Sequence, residues 1–402
     1  MDSLIDRLSQ IRDVRKRRIF LENKGFNKPE IERLLEEVHL HVKGKKKFPR
    51  ASQMKFSREG LAQASSKYVA EYRTWKMRQQ LGEIHKSLDV GGGIGGDTIA
   101  MALRWKVISV ERNPITMEML KHNVQVYNVV KNVDFIHGDI LILLDDVEFQ
   151  QKLEDVDCIF FDPSRRSDEK RTVKIEEYDP PLSLVEKLLN FSQNVCVKIA
   201  PGVDLSRIKY DCDIEVISYK GEVKEVVLWF GKFKTSPDKS VILATKLPEK
   251  ITWIQKQKRY NVPVSEPMDF IYEPDPAFIK AHLISDIAEI HNLSQLHKKV
   301  AYLTGNVFIK SPILKCYHVL SYESLDYSLI NKKLNILNIG TVDLKSRGIS
   351  VDLKNVHKLI RGNGRKKGLL IFTKVLNKPS GIICEYVSKY VGNKKRRGKK
   401  RL

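Results

Sequence analysis

Cysteine is scarce in this chain: Cys158, Cys196, Cys212, Cys316 and Cys384 are scattered over 402 residues, odd in number and without a C-x-x-C pair. This argues against a disulfide framework or a zinc cluster and for a reducing compartment, so no metal is expected. Long apolar runs are missing as well. No stretch of about eighteen apolar residues occurs, and Met1-Asp2-Ser3-Leu4-Ile5-Asp6-Arg7 lacks the basic and then apolar profile of a secretory leader. A cytoplasmic protein without a membrane partner is expected. Acidic residues are the third shortage: 49 Asp and Glu face 71 Lys and Arg, for a net charge of +22. That excess favours a polyanionic partner, RNA or DNA ahead of an anionic membrane, against the plainer reading of solvated lysines.

What the chain does contain is enough apolar residue, 42%, to bury substantial cores, and its length predicts two or three domains. The organising stretch is Leu88-Asp89-Val90-Gly91-Gly92-Gly93-Ile94-Gly95-Gly96-Asp97, between a short apolar run and a helical segment. Glycines 91, 93 and 96 fit the G-x-G-x-x-G pattern of a strand turning sharply into a helix, where a nucleotide can approach the backbone. Asp89 precedes the first glycine by two positions. A carboxylate there repels a dinucleotide's pyrophosphate and attracts a ligand carrying an ammonium group, which points to S-adenosylmethionine and away from a dehydrogenase.

From Ile84 to Gly231 short β-rich runs alternate with helical ones. Strands are predicted at 84–90, 106–110, 132–136, 156–161 and 194–200, with helices at 114–128, where Asn113-Pro114 is an N-cap followed by proline, and at 182–191. Such alternation implies a mainly parallel sheet with its site at the carboxyl ends of the strands. It closes with a predicted antiparallel hairpin, Asp213 to Tyr219 and Glu225 to Gly231, joined by a linker at 220–224. Polar residues stand at successive strand ends. Glu111 comes 22 residues after Asp89 and can accept from both ribose hydroxyls; Gly138-Asp139 can accept from an adenine amino group; Asp162-Pro163-Ser164-Arg165-Arg166 follows the fourth run.

Residues 84 to 231 resemble a class I S-adenosylmethionine-dependent methyltransferase, with a more distant likeness to trimethylguanosine synthase. The resemblance implies a Rossmann-like α/β fold with a seven-stranded sheet and an antiparallel last strand. It implies that Asp89, Gly91, Gly93 and Gly95 hold the methionine portion, Glu111 with Arg112 the ribose, and Asp139 with Ile140 the adenine. Asp162, Pro163, Ser164 and Arg165 would face the methyl acceptor, with Arg166, Lys198 and Pro201 as further acceptor-side candidates. Family members that methylate amino nitrogens often carry D/N-P-P followed by an aromatic here; this chain has Ser-Arg instead.

Before the sheet, residues 1 to about 80 read as helices, with apolar residues at Leu4, Ile5, Leu8 and Ile11 and then Ile31, Leu34, Leu35 and Val38. The connector Val42–Arg58 holds seven basic residues and no acidic one, and Ser57 is a predicted N-cap for one helix running through Leu61, Tyr72 and Trp75 to roof the pocket. Beyond about 240 an α+β domain is predicted up to 388. Its pieces include a short helix at Ser294 to His297, β-rich runs at Tyr317 to Leu320, Leu334 to Ile339, Gly368 to Thr373 and Gly381 to Val387, and a helix at Leu353 to Ile360. Tyr272-Glu273-Pro274-Asp275-Pro276-Ala277 with Lys345-Ser346-Arg347-Gly348 resembles the THUMP-like domain that follows methyltransferase domains in a prokaryotic family, which implies RNA contacts by Lys345 and Arg347. Residues 389–402 form a tail with eight basic residues and no acidic one. Together these features predict an enzyme that methylates a base nitrogen of RNA, tRNA or rRNA, with guanine N2 as the candidate. A protein or small-molecule amine methyltransferase and a catalytically inactive RNA-binding protein are the alternatives.

Overall fold

The computed structural model describes residues 2–165, 177–256 and 261–387. The chain divides into two compact units, one holding Met1–Leu243 with Leu247–Lys250, the other Ala244–Lys246 and the chain from Ile251 onward.

In the first unit the chain opens with the helices α1 (Asp2–Gln10), α2 (Val14–Glu22) and α3 (Lys28–Gly44). A capping box at Asn27 and Glu30 starts α3, and Ile5, Leu8, Leu21, Ile31, Leu34 and Val38 form their shared core. The one helix predicted after Ser57 is two: α4 (Arg58–Gln63) and α5 (Lys67–Leu81), broken at Ala64-Ser65-Ser66. Ser57 caps the first of them, its Oγ accepting from the Gly60 N–H at 3.0 Å.

The strands β1 (Lys86–Val90), β2 (Lys106–Glu111), β3 (Val133–His137), β4 (Cys158–Phe161) and β5 (Val195–Ile199) are parallel, as their apolar runs predict. All four residues of β4 are buried, which suits a strand covered on both faces. Helices α6 (Gly96–Ala102), α7 (Pro114–Val126), α8 (Ile140–Leu143), α9 (Val147–Leu153) and α10 (Leu184–Leu188) alternate with them. The hairpin strands β6 (Asp213–Tyr219) and β7 (Glu222–Trp229) close the domain. Their link is shorter than predicted: Lys220 (φ 54°) and Gly221 (φ 78°) make a two-residue turn, a conformation that matches the twist of the strands. β7 inserts antiparallel between β5 and β6, giving the order β6-β7-β5-β4-β1-β2-β3. The sheet continues past β6 into β8 (Ile242–Leu247) and β9 (Ile251–Ile254), so it has nine strands rather than the expected seven. The order reverses between β1 and β4, and a ligand crevice is expected at the carboxyl ends there.

In the second unit a seven-stranded sheet comprises β10 (Phe270–Pro274), β11 (Ser294–Gln295), β12 (Leu303–Gly305), β13 (Leu314–Ser324), β14 (Ile339–Ser346), β15 (Lys366–Val375) and β16 (Lys378–Tyr386), in the order β11-β12-β10-β13-β16-β15-β14. Among the described residues the helices α11 (Pro276–Lys280), α12 (Ile284–His291), α13 (Tyr327–Ile336) and α14 (Leu353–Leu359) accompany it. Two predictions fail here. Ser294–Gln295 is a strand, not a helix, and Leu334–Ile336 ends α13, with Ile339 opening β14. Ile330 and Leu334 recur at helical spacing and are fully buried against Leu370, Phe372 and Ile383, so packing decides for helix.

Leu120 on α7 is wholly buried, with its methyl groups against the turn at Gly92 and Gly95. Leu120→Ala should cost about 2–5 kcal/mol in a denaturant titration, with the cavity opening under the glycine turn.

Candidate active site

A cavity of about 590 Å³ lies at the carboxyl ends of β1, β2, β4 and β5, within the size range of ligand sites. Its floor is the turn after β1. Gly91 (φ 88°) and Gly93 (φ 55°) adopt left-handed backbone, and a Cβ on Gly91 would stand 2.8 Å from the Asp162 carbonyl. Gly91 and Gly93 line the cavity; Gly95 does not, and instead caps α6 with φ 95°.

At the end of β2, Glu111 braces this turn. Its Oε2 accepts from the Gly93 N–H at 3.0 Å and its Oε1 from the Asn113 N–H at 2.8 Å, so both oxygens are held at the cavity wall. Asp139 caps α8 through the Leu141 N–H at 2.9 Å, and Asp139 and Ile140 both reach the wall. Arg112, also lining, pairs with Asp179 at 2.7 Å.

Asp89 is placed differently from the expectation. Its carboxylate is fully buried behind the turn, takes hydrogen bonds from Thr98 and Ser109, leaves Oδ1 without a partner, and is not part of the lining. Burial pushes its carboxyl up to about 7, with the nearby Asp97 and Asp162 carboxylates adding to the shift against the hydroxyl donors.

Asp97, at the start of α6, does line the cavity. It pairs with Arg73 of α5, a residue 2% exposed that also pairs with Glu225 of β7, donates to Ser65 Oγ at 2.7 Å and lies over the Phe160 ring. Burial works against the Asp97 charge, but Arg73, Lys198 and Ser65 hold its carboxyl below the usual range. At the end of β4, Asp162 pairs with Lys198 of β5 at 2.5 Å. Burial raises the Asp162 carboxyl, with Lys198 opposing, while Asp162 and Asp97 overcome the burial of Lys198 and keep it protonated.

Pro163, Ser164 and Pro201 also line the cavity, and Ser164 Oγ donates to the Asp179 carbonyl at 2.9 Å. Ser164-Arg165 pairs in a short ladder with Tyr178-Asp179; Tyr178 lies on the wall and its hydroxyl accepts from the Ala200 N–H at 2.8 Å. Arg166 and the tail 389–402 fall outside the described residues. The roof is α4: Glu59, Gly60, Ala62 and Gln63 line it, and Lys47 Nζ donates to the Leu61, Ala62 and Ala64 carbonyls at its end. Burial brings the Lys47 ammonium down to about 8, with Lys198 and Lys224 adding to the effect.

Lys345 and Arg347 lie in the second unit, each in an ion pair with Glu273, at 2.5 and 3.5 Å. The two motifs that carried the THUMP-like resemblance therefore meet at one carboxylate. Among the described residues no group of acidic, His and Cys side chains could hold a metal, and no helix is long and apolar enough to cross a membrane.

Comparison with known proteins adds to this geometry. Residues 84–233 match the family model described as RNA cap guanine-N2 methyltransferase. An uncharacterized S-adenosylmethionine-dependent methyltransferase of Mycobacterium tuberculosis strain H37Rv is 26% identical over 331 residues, covering 81% of this chain and 86% of that one. These matches support a class I S-adenosylmethionine-dependent methyltransferase. A shorter match, 40% over 63 residues, reaches 15% of this chain and 26% of the trimethylguanosine synthase of Schizosaccharomyces pombe. A solved chain from Porphyromonas gingivalis W83 shares the fold over 90% of this chain and 92% of its own length, with a TM-score of 0.73 and 20% identity.

S-adenosylmethionine is thus the cofactor, and the residues present fit it. A nucleoside needs a close backbone approach, which the left-handed glycines allow, and acceptors for its ribose, which the Glu111 carboxylate on the wall would offer. Arg73 and Asp97 have no signature in the spacing of the chain. The one available signal for Asp97 is its place directly after the last glycine.

The raised Asp89 carboxyl has a consequence for stability. In the unfolded chain it loses its proton near 3.8, in the fold near 7, so between those values the folded state binds more protons and stability falls as pH rises. Asp89→Asn removes that slope, and the ligand-free variant should melt higher than the wild type at pH 8, with the gain shrinking towards pH 4.

Proposed function

We propose that this methyltransferase transfers the methyl group to an amino nitrogen of an RNA base, with guanine N2 as the nitrogen. The observation that carries the reading is Asp162. It stands on the cavity at the carboxyl end of β4, with its carbonyl against Gly91 of the cofactor turn and its carboxylate Oδ2 on Lys198. This leaves Oδ1 to accept from an amine N–H of the acceptor.

Bound S-adenosylmethionine supplies an activated methyl on a sulfonium, so the chain's main task is to align the acceptor lone pair with it. Asp162 orients the amine by accepting its hydrogen bond, and Lys198 fixes the rotamer of Asp162. As the nitrogen gains a methyl its N–H becomes acidic, and the buried Asp162 carboxylate, whose basicity burial raises, takes the proton. Pro163, Ser164, Tyr178 and Pro201 form the wall on this side.

RNA as the substrate class is supported by the family description matched over residues 84–233 and by the +22 charge. We assign the second unit, read as THUMP-like, to holding the RNA, with tRNA or rRNA in the cytoplasm as the target. Its electrostatic hold would weaken as salt rises.

Methyl transfer from labelled S-adenosylmethionine into RNA from cells lacking this gene, with nucleoside analysis, tests the reading; N2-methylguanosine is the expected product. Asp162→Ala should slow transfer about 10²–10³-fold, the scale of losing one transition-state contact, without weakening S-adenosylhomocysteine binding. Label in protein, or nowhere, would instead support an amine methyltransferase of another class or an inactive RNA binder.

A further inference from the structure

We propose that Asp97, and not Asp89 of the glycine motif, receives the α-ammonium group of the cofactor. This rests on the methyltransferase reading of the cavity and assigns one contact within it.

Three observations converge. The first is position: Asp97 lines the cavity at the start of α6, while Asp89 lies behind the turn and is absent from the lining. Gly92 separates Asp89 from the ligand side, since a Cβ on Gly92 would stand 2.3 Å from the same Ser109 Oγ that donates to Asp89. The second is charge. Beside and behind the cavity wall the cations Arg73 and Lys198 face the carboxylates Asp97, Glu225 and Asp162, and Arg73 is shared by two of them. Within this cluster Asp97 is the carboxylate that lines the cavity and is held below the usual range, while burial shifts Asp162 and Glu225 up. An ionised carboxylate on the cavity wall attracts an arriving ammonium.

The third observation is how the two carboxylates are held. Arg73 and Ser65 fix Asp97 from the protein side, so its position is set before the ligand arrives. Asp89 is already engaged by Thr98 and Ser109, and those hydroxyls link β1 to α6 and β2. Its task is to hold the turn in shape.

The contact is read by pairing protein variants with a ligand change. S-adenosylhomocysteine is compared, by calorimetry, with its analogue carrying hydrogen in place of the α-ammonium group. The wild type should prefer the ammonium-bearing ligand by about 10- to 100-fold, the scale of one charge-assisted contact. Asp97→Asn should abolish that preference while binding the analogue as the wild type does; Asp89→Asn should keep the preference. Should Asp97→Asn not fold, Asp97→Glu keeps the charge but moves it by one methylene, and the preference must shrink there too. A preference that survives in the Asp97 variants, or that vanishes with Asp89→Asn, overturns the assignment. Failure of the wild type to bind either ligand would instead remove the cofactor reading itself.

Discussion

Arg73 is the constraint on which the site depends. Its guanidinium is buried on α5 between Asp97 of α6 and Glu225 of β7, with Phe160 of β4 beneath it. Removing a guanidinium from water is expensive, and it is offset here because two carboxylates and Ser65 Oγ surround it. The result ties the helical region preceding the sheet to the sheet's central strands. A second buried set lies on the same helix: Tyr72 and Lys76 both reach Glu215, which Trp229 Nε1 also contacts at 2.8 Å. Helix α5 is thus fastened to β6 and β7 by polar groups rather than by an apolar stripe alone.

This fastening shapes the chemistry. The roof helix α4 precedes α5, and Lys47 closes its carbonyl end while Lys198 approaches the Gln63 carbonyl at 3.3 Å. Lys198 in turn holds Asp162. One connected set of charges therefore runs from the roof through the acceptor side to the floor of the cofactor cavity. The carboxylates within it have separate environments: Asp97 is kept ionised by cations, Asp162 is shifted up by burial with Lys198 opposing, and Asp89 is shifted up by burial with Thr98 and Ser109 opposing. Adjacent acids thus differ in how readily each holds a proton.

Much of this was legible in the chain. The β1 to β5 runs, the glycine turn and the cap at Asn113-Pro114 follow from local rules, because a buried parallel strand is a continuous apolar run and a left-handed turn requires glycine. Glu111, Asp139 and Asp162 were legible for a related reason: an acid directly after such a run stands at a strand end, and in a doubly wound sheet strand ends converge. The single helix predicted across 57–81 was not correct. The polar residues Arg73, Thr74 and Lys76 are buried on α5, so its sequence carries no clean apolar face from which to read the break or the packing.

By itself the sequence determined a mainly parallel sheet, the turn that admits a nucleoside, and the acids at its edge, since each depends on neighbours within a few residues. Only the tertiary structure decided which acid meets which cation. Arg73 and Glu225 are 152 residues apart, and Lys198 and Asp162 are 36 apart. Ion pairs of that separation leave no periodicity in the chain, because what sets them is the need of a buried charge for a partner once the sheet and helices have closed around it.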